Sequence, residues 1–161
     1  MCGSVLQVNL SPGGLPKRSV AQAFLTPLGF EGDDVAHPAV HGGPEQAVLL
    51  VTAETTDDLI ARGFPLFYGA LGENLTTRGL DRRDLRQGMR FRAGQAVIEL
   101  TRPRTSCAAL AVYGAELRSL IPGKGAQRGD PAWAMGGFYA SVVQTGWVRA
   151  GDIIWVVDAG V

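Results

Sequence analysis

The sequence predicts a mostly β protein with helical insertions, folded as one small barrel. Three observations predict it. Roughly seven or more short apolar segments, rich in β-branched residues, recur along 161 residues between glycine-bearing turns. The 22 glycines let the backbone turn often and tightly, as a small barrel must. Helical signals are confined to one or two stretches, so alternating strand–helix units are not expected. No internal repeat or linker divides the chain, and the core is expected over residues 3–157 of a single domain.

Gly3–Leu10 alternates in polarity and reads as the first strand. The turn-rich run Ser11-Pro-Gly-Gly-Leu-Pro-Lys17 follows. Gly13 and Gly14 can present successive N–H groups as a small anion nest with Lys17 adding charge, or the segment is an ordinary hairpin loop. Ser19–Leu25 reads as a second strand, and residues 29–34 as a turn. A loop then carries His37 and His41-Gly42-Gly43-Pro44, either as metal ligands or as solvated loop histidines. Gln46–Val51 is a continuous apolar run suited to a strand buried on both faces.

Thr52–Arg62 carries a full set of helix signals. Thr52 can cap it, Glu54, Asp57 and Asp58 favour its N-terminal half, and Gly63 supplies the stop. Gly72-Glu73-Asn74-Leu75 reads as a short extended piece, and Thr76–Arg90 as a charged, turn-like, solvated face. Phe91–Ala93 and Ala96–Thr101 read as strands around Gly94. Pro103, lacking an N–H, is expected to stop the ladder, with Thr105 and Ser106 capping a helix that begins at Cys107. That helical stretch runs to Leu120 with an interruption at Gly114, and a Gly/Pro-rich loop follows over Pro122–Gly137. Phe138–Thr145 and Asp152–Val157 are expected to close the chain as a strand pair.

Composition excludes several function classes. Lys plus Arg and Asp plus Glu both number 15, which removes the electrostatic case for a nucleic-acid or anionic-membrane partner. No apolar run approaches the ~20 residues of a membrane span, and the N-terminus lacks the charged and apolar regions of a signal peptide. Two cysteines are too few for a disulfide framework, and a reducing, cytoplasmic location is expected. Neither histidine pairs with a cysteine at zinc-finger spacing.

Chemistry concentrates in Ala96–Cys107, AVIELTRPRTSC. A thiol at a helix N-terminus beside Arg102 and Arg104 is the setting in which thiolate forms readily, and thiolate is the form that binds metal or attacks. The competing reading of Cys107 is a buried, inert side chain.

Several marks occur in one order: Ser11-Pro-Gly-Gly-Leu-Pro-Lys17, Gly32-Asp33, His41-Gly42-Gly43, Gly72-Glu73-Asn74-Leu75, Gly88 through Gly94, Arg104-Thr-Ser-Cys107 and Gly146-Trp-Val-Arg-Ala-Gly-Asp152. The ordered set resembles the MOSC domain, named after the C-terminal part of molybdenum cofactor sulfurase, nearly end to end. It is most similar to the stand-alone bacterial YiiM-like type, from which it departs by ending soon after the last strand, without a helical C-terminal extension. The resemblance implies a MOSC-type mixed β-barrel that binds molybdenum cofactor (molybdopterin). It implies Cys107 as metal ligand, and an oxidoreductase that reduces small N-hydroxylated substrates using electrons from a separate flavin or iron–sulfur protein.

The residue chemistry fits that implication. A thiolate suits molybdenum, and Cys107 is the only internal thiol. Gly13, Gly14, Lys17 and Arg102 are candidates for the cofactor's phosphate, Arg104 for holding the thiolate, and Asn74 for the pterin edge. His41 and Glu73 are candidates for positioning substrate or relaying protons, beside Cys107 as catalytic groups. For Asp33, Glu73 and Asn74 the alternative is tying loops to backbone N–H groups. A second function class stays open: a non-catalytic carrier of cofactor or of persulfide sulfur on Cys107.

Overall fold

The computed structural model describes residues 1–34 and 42–160. In chain order the strands are β1 (Cys2–Leu10), β2 (Arg18–Val20), β3 (Gln22–Thr26), β4 (Gly29–Phe30), β5 (Val48–Thr52), β6 (Leu75–Arg78) and β7 (Arg90–Ala93). They continue as β8 (Ala96–Pro103), β9 (Phe138–Gln144), β10 (Gly146–Arg149) and β11 (Ile153–Asp158). Helix α1 spans Ala53–Ala61 and α2 Leu117–Leu120, with 3-10 turns at Pro44–Gln46, Arg82–Asp84 and Ala108–Tyr113. No helix among the described residues is long and apolar enough to cross a membrane.

Seven strands close on themselves in the order β1, β11, β7, β8, β9, β5, β6 and back to β1, and β2 extends the sheet from β1. The barrel is mixed: β5 and β6 pair in parallel, Leu50 opposite Leu75, while its other pairs are antiparallel. A smaller sheet, β10-β3-β4, carries an edge-on contact of Phe24 and Trp147, ring centroids 5.5 Å apart.

Strand β5 explains why there are two cores. All five of its residues are buried. Successive side chains leave a strand on opposite faces, so Val48 and Leu50 enter the barrel interior with Phe91, Ile98 and Phe138. Leu49 and Val51 point the other way and meet Leu59 of α1, Leu110, Leu117 and Ile121. The helical insertions thus form a second apolar layer over β5 and β9. Helix α1 begins where Thr52 Oγ1 accepts the Thr55 N–H, at 3.4 Å. It stops at Gly63, whose φ of 98° suits glycine.

Several expectations are corrected. Ser19–Leu25 is not one strand: the chain leaves β1 after Val20 and joins β10 from Gln22, switching sheets at Ala21. Gln46 lies in a 3-10 turn, so the buried strand starts at Val48. Thr76–Arg78, expected in a charged turn, belongs to β6, because Thr76 and Thr77 pair with Val51 and Thr52. Pro103 ends the ladder as expected, but the strand expected to stop at Thr101 runs on to it: Pro103 is the last residue of β8, opposite Phe138, beyond a register shift between Leu100 and Arg102. Thr105 and Ser106 cap nothing: Cys107 itself is the residue before the first turn, which is 3-10 rather than α. Finally, β9 and β11 do not pair. Strand β9 lies between β8 and β5, β11 between β7 and β1, and Gly146–Arg149, expected as their link, is strand β10.

Candidate functional site

A cavity of about 580 Å³ opens beside the barrel where the loop after β1, the N-terminal end of β5 and the segment leaving β8 converge. That is the size of a site for a cofactor-sized molecule. Gly13, Gly14, Lys17, Asn74, Arg104 and Cys107 all line it.

The 11–17 loop is held by its own polar groups. Ser11 N–H donates to Asp33 Oδ1 at 2.9 Å, and Gly13 N–H to the Ser11 hydroxyl at 3.0 Å. Lys17 N–H reaches the Gly69 carbonyl at 2.9 Å. Gly69 has φ 101°, and a Cβ there would strike the Lys17 carbonyl, so only glycine allows this approach. Lys17 Nζ pairs with Asp33 Oδ2 at 2.5 Å, both side chains nearly buried.

Asn74 ties three segments together. Its Nδ2 donates to Asp33 Oδ2 at 2.8 Å and to the Asn9 carbonyl at 3.3 Å, and its Oδ1 accepts the Leu49 N–H at 3.1 Å. An amide has two N–H donors, and both are engaged within the protein. Gly13 N–H is likewise engaged, and the Lys17 charge is matched by Asp33.

Arg104 differs. It is 5% exposed, and its Nη2 donates to Cys107 Sγ at 3.5 Å, while Nε and Nη1 have no partner. None of the ion pairs among the described residues includes it. Its position follows from β8: the register shift after Leu100 and the Arg104 N–H bond to the Gly137 carbonyl, 2.9 Å, carry the strand end to the cavity. Cys107 follows three residues later, half-buried on the same wall.

Other candidates stand elsewhere. Glu73 is fully buried and not on the cavity wall. Its Oε1 accepts Gly69 N–H at 2.6 Å and the Thr76 hydroxyl at 3.2 Å, and Oε2 has no partner. Burial pushes its carboxyl above the usual range, opposed by those hydrogen bonds and by the Arg104 charge. Arg102 is exposed, its guanidinium 4.8 Å from the centroid of the Tyr139 ring, rather than on the lining. His41 and the metal reading of the two histidines lie outside the described residues. Among those described, no cluster of three or more His, Cys, Asp or Glu side chains is placed to hold a metal.

Tyr139 escaped sequence reasoning. It lines the cavity opposite Arg102 in the β8–β9 ladder, and burial raises its phenol pKa against the Arg104 and Arg102 charges. Leu28, Gln46, Ala109 and Val112 were missed too. No local pattern marks them, because each reaches the cavity through the packing of distant segments.

Residues 37–155 match the MOSC domain model. The chain is 40% identical over 102 residues to protein YiiM of Escherichia coli strain K12, covering 60% of this chain and 45% of that one. To YflK of Bacillus subtilis strain 168 it is 34% identical over 152 residues, covering 91% of this chain and 64% of the other. It therefore spans about half to two thirds of the length of these relatives. The crystal structure of YiiM from Escherichia coli superposes with a TM-score of 0.71 at 27% identity, covering 98% of this chain and 70% of that one. YiiM from Geobacillus stearothermophilus shares the fold, with a TM-score of 0.75 at 24% identity, covering 97% and 75% of the two chains. The barrel, the ordered marks and the match over most of its length agree: the chain belongs to the MOSC domain family, which is associated with molybdenum cofactor binding.

Proposed function

We propose that this protein binds molybdenum cofactor and reduces N-hydroxylated compounds, with Cys107 as its one ligand to molybdenum. The observation that carries the reading is a half-buried thiol on the wall of a cofactor-sized cavity, beside a buried guanidinium with unpartnered nitrogens. The donor set fits. With a single sulfur and no cluster of further ligands among the described residues, the wall suits a metal that arrives already held by an organic ligand. Thiolate sulfur suits such a soft centre.

Bound here, the cofactor supplies two-electron redox chemistry at the metal. The protein's own residues do the rest. Arg104 donates to Cys107 Sγ at 3.5 Å and holds the thiol in place on the wall. Asp33, Lys17 and Asn74 fix the loop that walls the cavity. Tyr139 presents a half-polar ring beside Arg104. In the net reaction, R–NH–OH takes up two electrons and two protons and leaves as R–NH2 and water. A separate flavin or iron–sulfur protein supplies the electrons. His41 is the candidate proton shuttle; Glu73, beneath the wall, supports the site rather than touching substrate.

The test is expression in a host that makes molybdenum cofactor, followed by metal analysis and turnover of an amidoxime with a chemical reductant. Expected are about one molybdenum per chain, lost in Cys107→Ala, and amidine as product. A metal-free protein, or unchanged molybdenum in Cys107→Ala, overturns the reading. A one-sulfur mass increase on Cys107 without pterin would instead identify a carrier.

A further inference from the structure

We propose that Tyr139 is a catalytic acid of this cavity: its hydroxyl gives the proton with which the oxygen of the N–O bond leaves as water. This rests on the function proposed above and adds the residue that supplies that proton. The first observation is where the ring stands. Tyr139 lies in β9 between Leu49 of β5 and Arg102 of β8 in the ladder, and its side chain lines the cavity with Arg104 and Cys107. Only 9% of the residue is exposed, and paired strands on both sides carry it, a setting that fixes the ring. The charge of a Cys107 thiolate is felt at the phenol, which puts the two groups on one part of the wall.

The second observation is the hydroxyl itself. The unpartnered atoms sealed from solvent include Arg104 Nε and Nη1 but not the Tyr139 hydroxyl, which opens on the cavity. Arg104 stands beside that oxygen as a hydrogen-bond donor. A guanidinium donates and never accepts, so the O–H proton is left for a ligand, and among the described residues none takes it.

Other groups on the described lining do not compete. Tyr139 carries its one hydroxyl. Lys17 gives its ammonium to Asp33, and Asp33 accepts from Ser11 N–H and Asn74 as well. Arg104 is too basic to release a proton. Burial pushes the Tyr139 phenol above its ordinary range, against the charges of Arg104 and Arg102, so it holds its proton at neutral pH.

The step balances. Two electrons from the flavin or iron–sulfur donor enter the N–O bond and break it. The oxygen takes the Tyr139 proton and leaves as water, and the nitrogen takes a second proton from solvent. The phenolate formed for that moment lies beside Arg104, with the Arg102 guanidinium 4.8 Å from the ring centroid, and solvent reprotonates it. Cations already in place at a developing negative charge lower the barrier to forming it.

Tyr139→Phe in the molybdenum-loaded protein tests the proposal, because it removes the proton and keeps the ring. Molybdenum content and melting temperature should stay at wild-type values. The kcat for amidoxime reduction should fall about a hundredfold or more, with KM changed by less than about tenfold. Calorimetric binding of benzamidoxime without reductant reads the same hydroxyl apart from turnover, and should weaken about two- to tenfold for one lost hydrogen bond. An undiminished kcat in the variant overturns this role alone. A fall in kcat that follows a loss of molybdenum overturns it too, since the ring would then serve only the structure. A wild-type chain that holds no molybdenum, or reduces no N-hydroxylated compound, overturns the proposed function and this role with it.

Discussion

The barrel interior and the cavity wall are built on opposite terms. Inside the barrel, Phe91, Phe138, Ile98, Leu50 and Leu100 are at most 1% exposed and belong to one apolar cluster, while the backbone is satisfied by a closed ladder. On and just behind the cavity wall the buried set is Lys17, Asn74, Arg104 and Glu73. There an ion pair, an amide bridging three segments and two charged side chains with unpartnered atoms take the place of packing. The interior is what makes the protein fold. The wall is where polar groups are buried at a cost in stability, Arg104 with two unpartnered nitrogens among them.

The comparison can be broken most forcefully from the interior. Phe91→Ala should cost about 3–5 kcal/mol, by lost transfer energy plus the cavity left behind, measured as a fall in the denaturant midpoint at unchanged slope. Next is the wall: Asp33→Asn strands the nearly buried Lys17 ammonium and should cost about 3 kcal/mol, while also loosening the 11–17 loop in hydrogen exchange. An effect well below 1 kcal/mol there would mean that the loop does not depend on the pair.

Glu73→Gln sharpens the contrast through pH. A carboxyl whose folded pKa lies above its ordinary 4.5 binds its proton more tightly folded than unfolded. Its contribution is complete below 4.5 and falls as pH rises through the folded value. Glutamine keeps the acceptor for Gly69 N–H and cannot ionise. The variant should match the wild type in acid and overtake it as pH rises above 4.5, in thermal melts taken over a pH series.

The smallest effect belongs to the surface. Asp81 accepts the Arg83 N–H and pairs with its guanidinium, which holds its carboxyl down at about 2. Its side chain is 39% exposed, so solvent screening limits Asp81→Ala to about 0.5 kcal/mol. Because the folded pKa is lowered from 3.8, that contribution is present at neutral pH and disappears as pH falls from 3.8 through about 2.

How much of this was legible differs by element. Helix α1 was readable to within a residue at each end, since Thr52, Arg62 and Gly63 mark it by local chemistry. The double burial of Val48–Thr52 was readable from an unbroken apolar run. Ser19–Leu25 was not, because continuous β propensity conceals a change of partner at Ala21. The thiol and its neighbouring arginine were singled out by position, and Lys17 and Asn74 by composition. Their present bonds to Asp33, which commit Lys17 and the Asn74 amide, depend on loops 41 residues apart in the chain for one of them.

By itself the sequence determined the repertoire: a glycine-punctuated β chain, one capped helix, and a cysteine three residues after an arginine. These are local properties, carried by side-chain period and by the caps and turns of neighbouring residues. The tertiary structure alone decided which strands close the barrel, that Arg102 stacks outward while Arg104 turns inward, and that Leu28 and Val112 line one cavity. Those outcomes depend on pairing register and on packing between distant segments. A register shift after Leu100 redirects the strand end that carries both arginines, and nothing in the residues on either side specifies it locally.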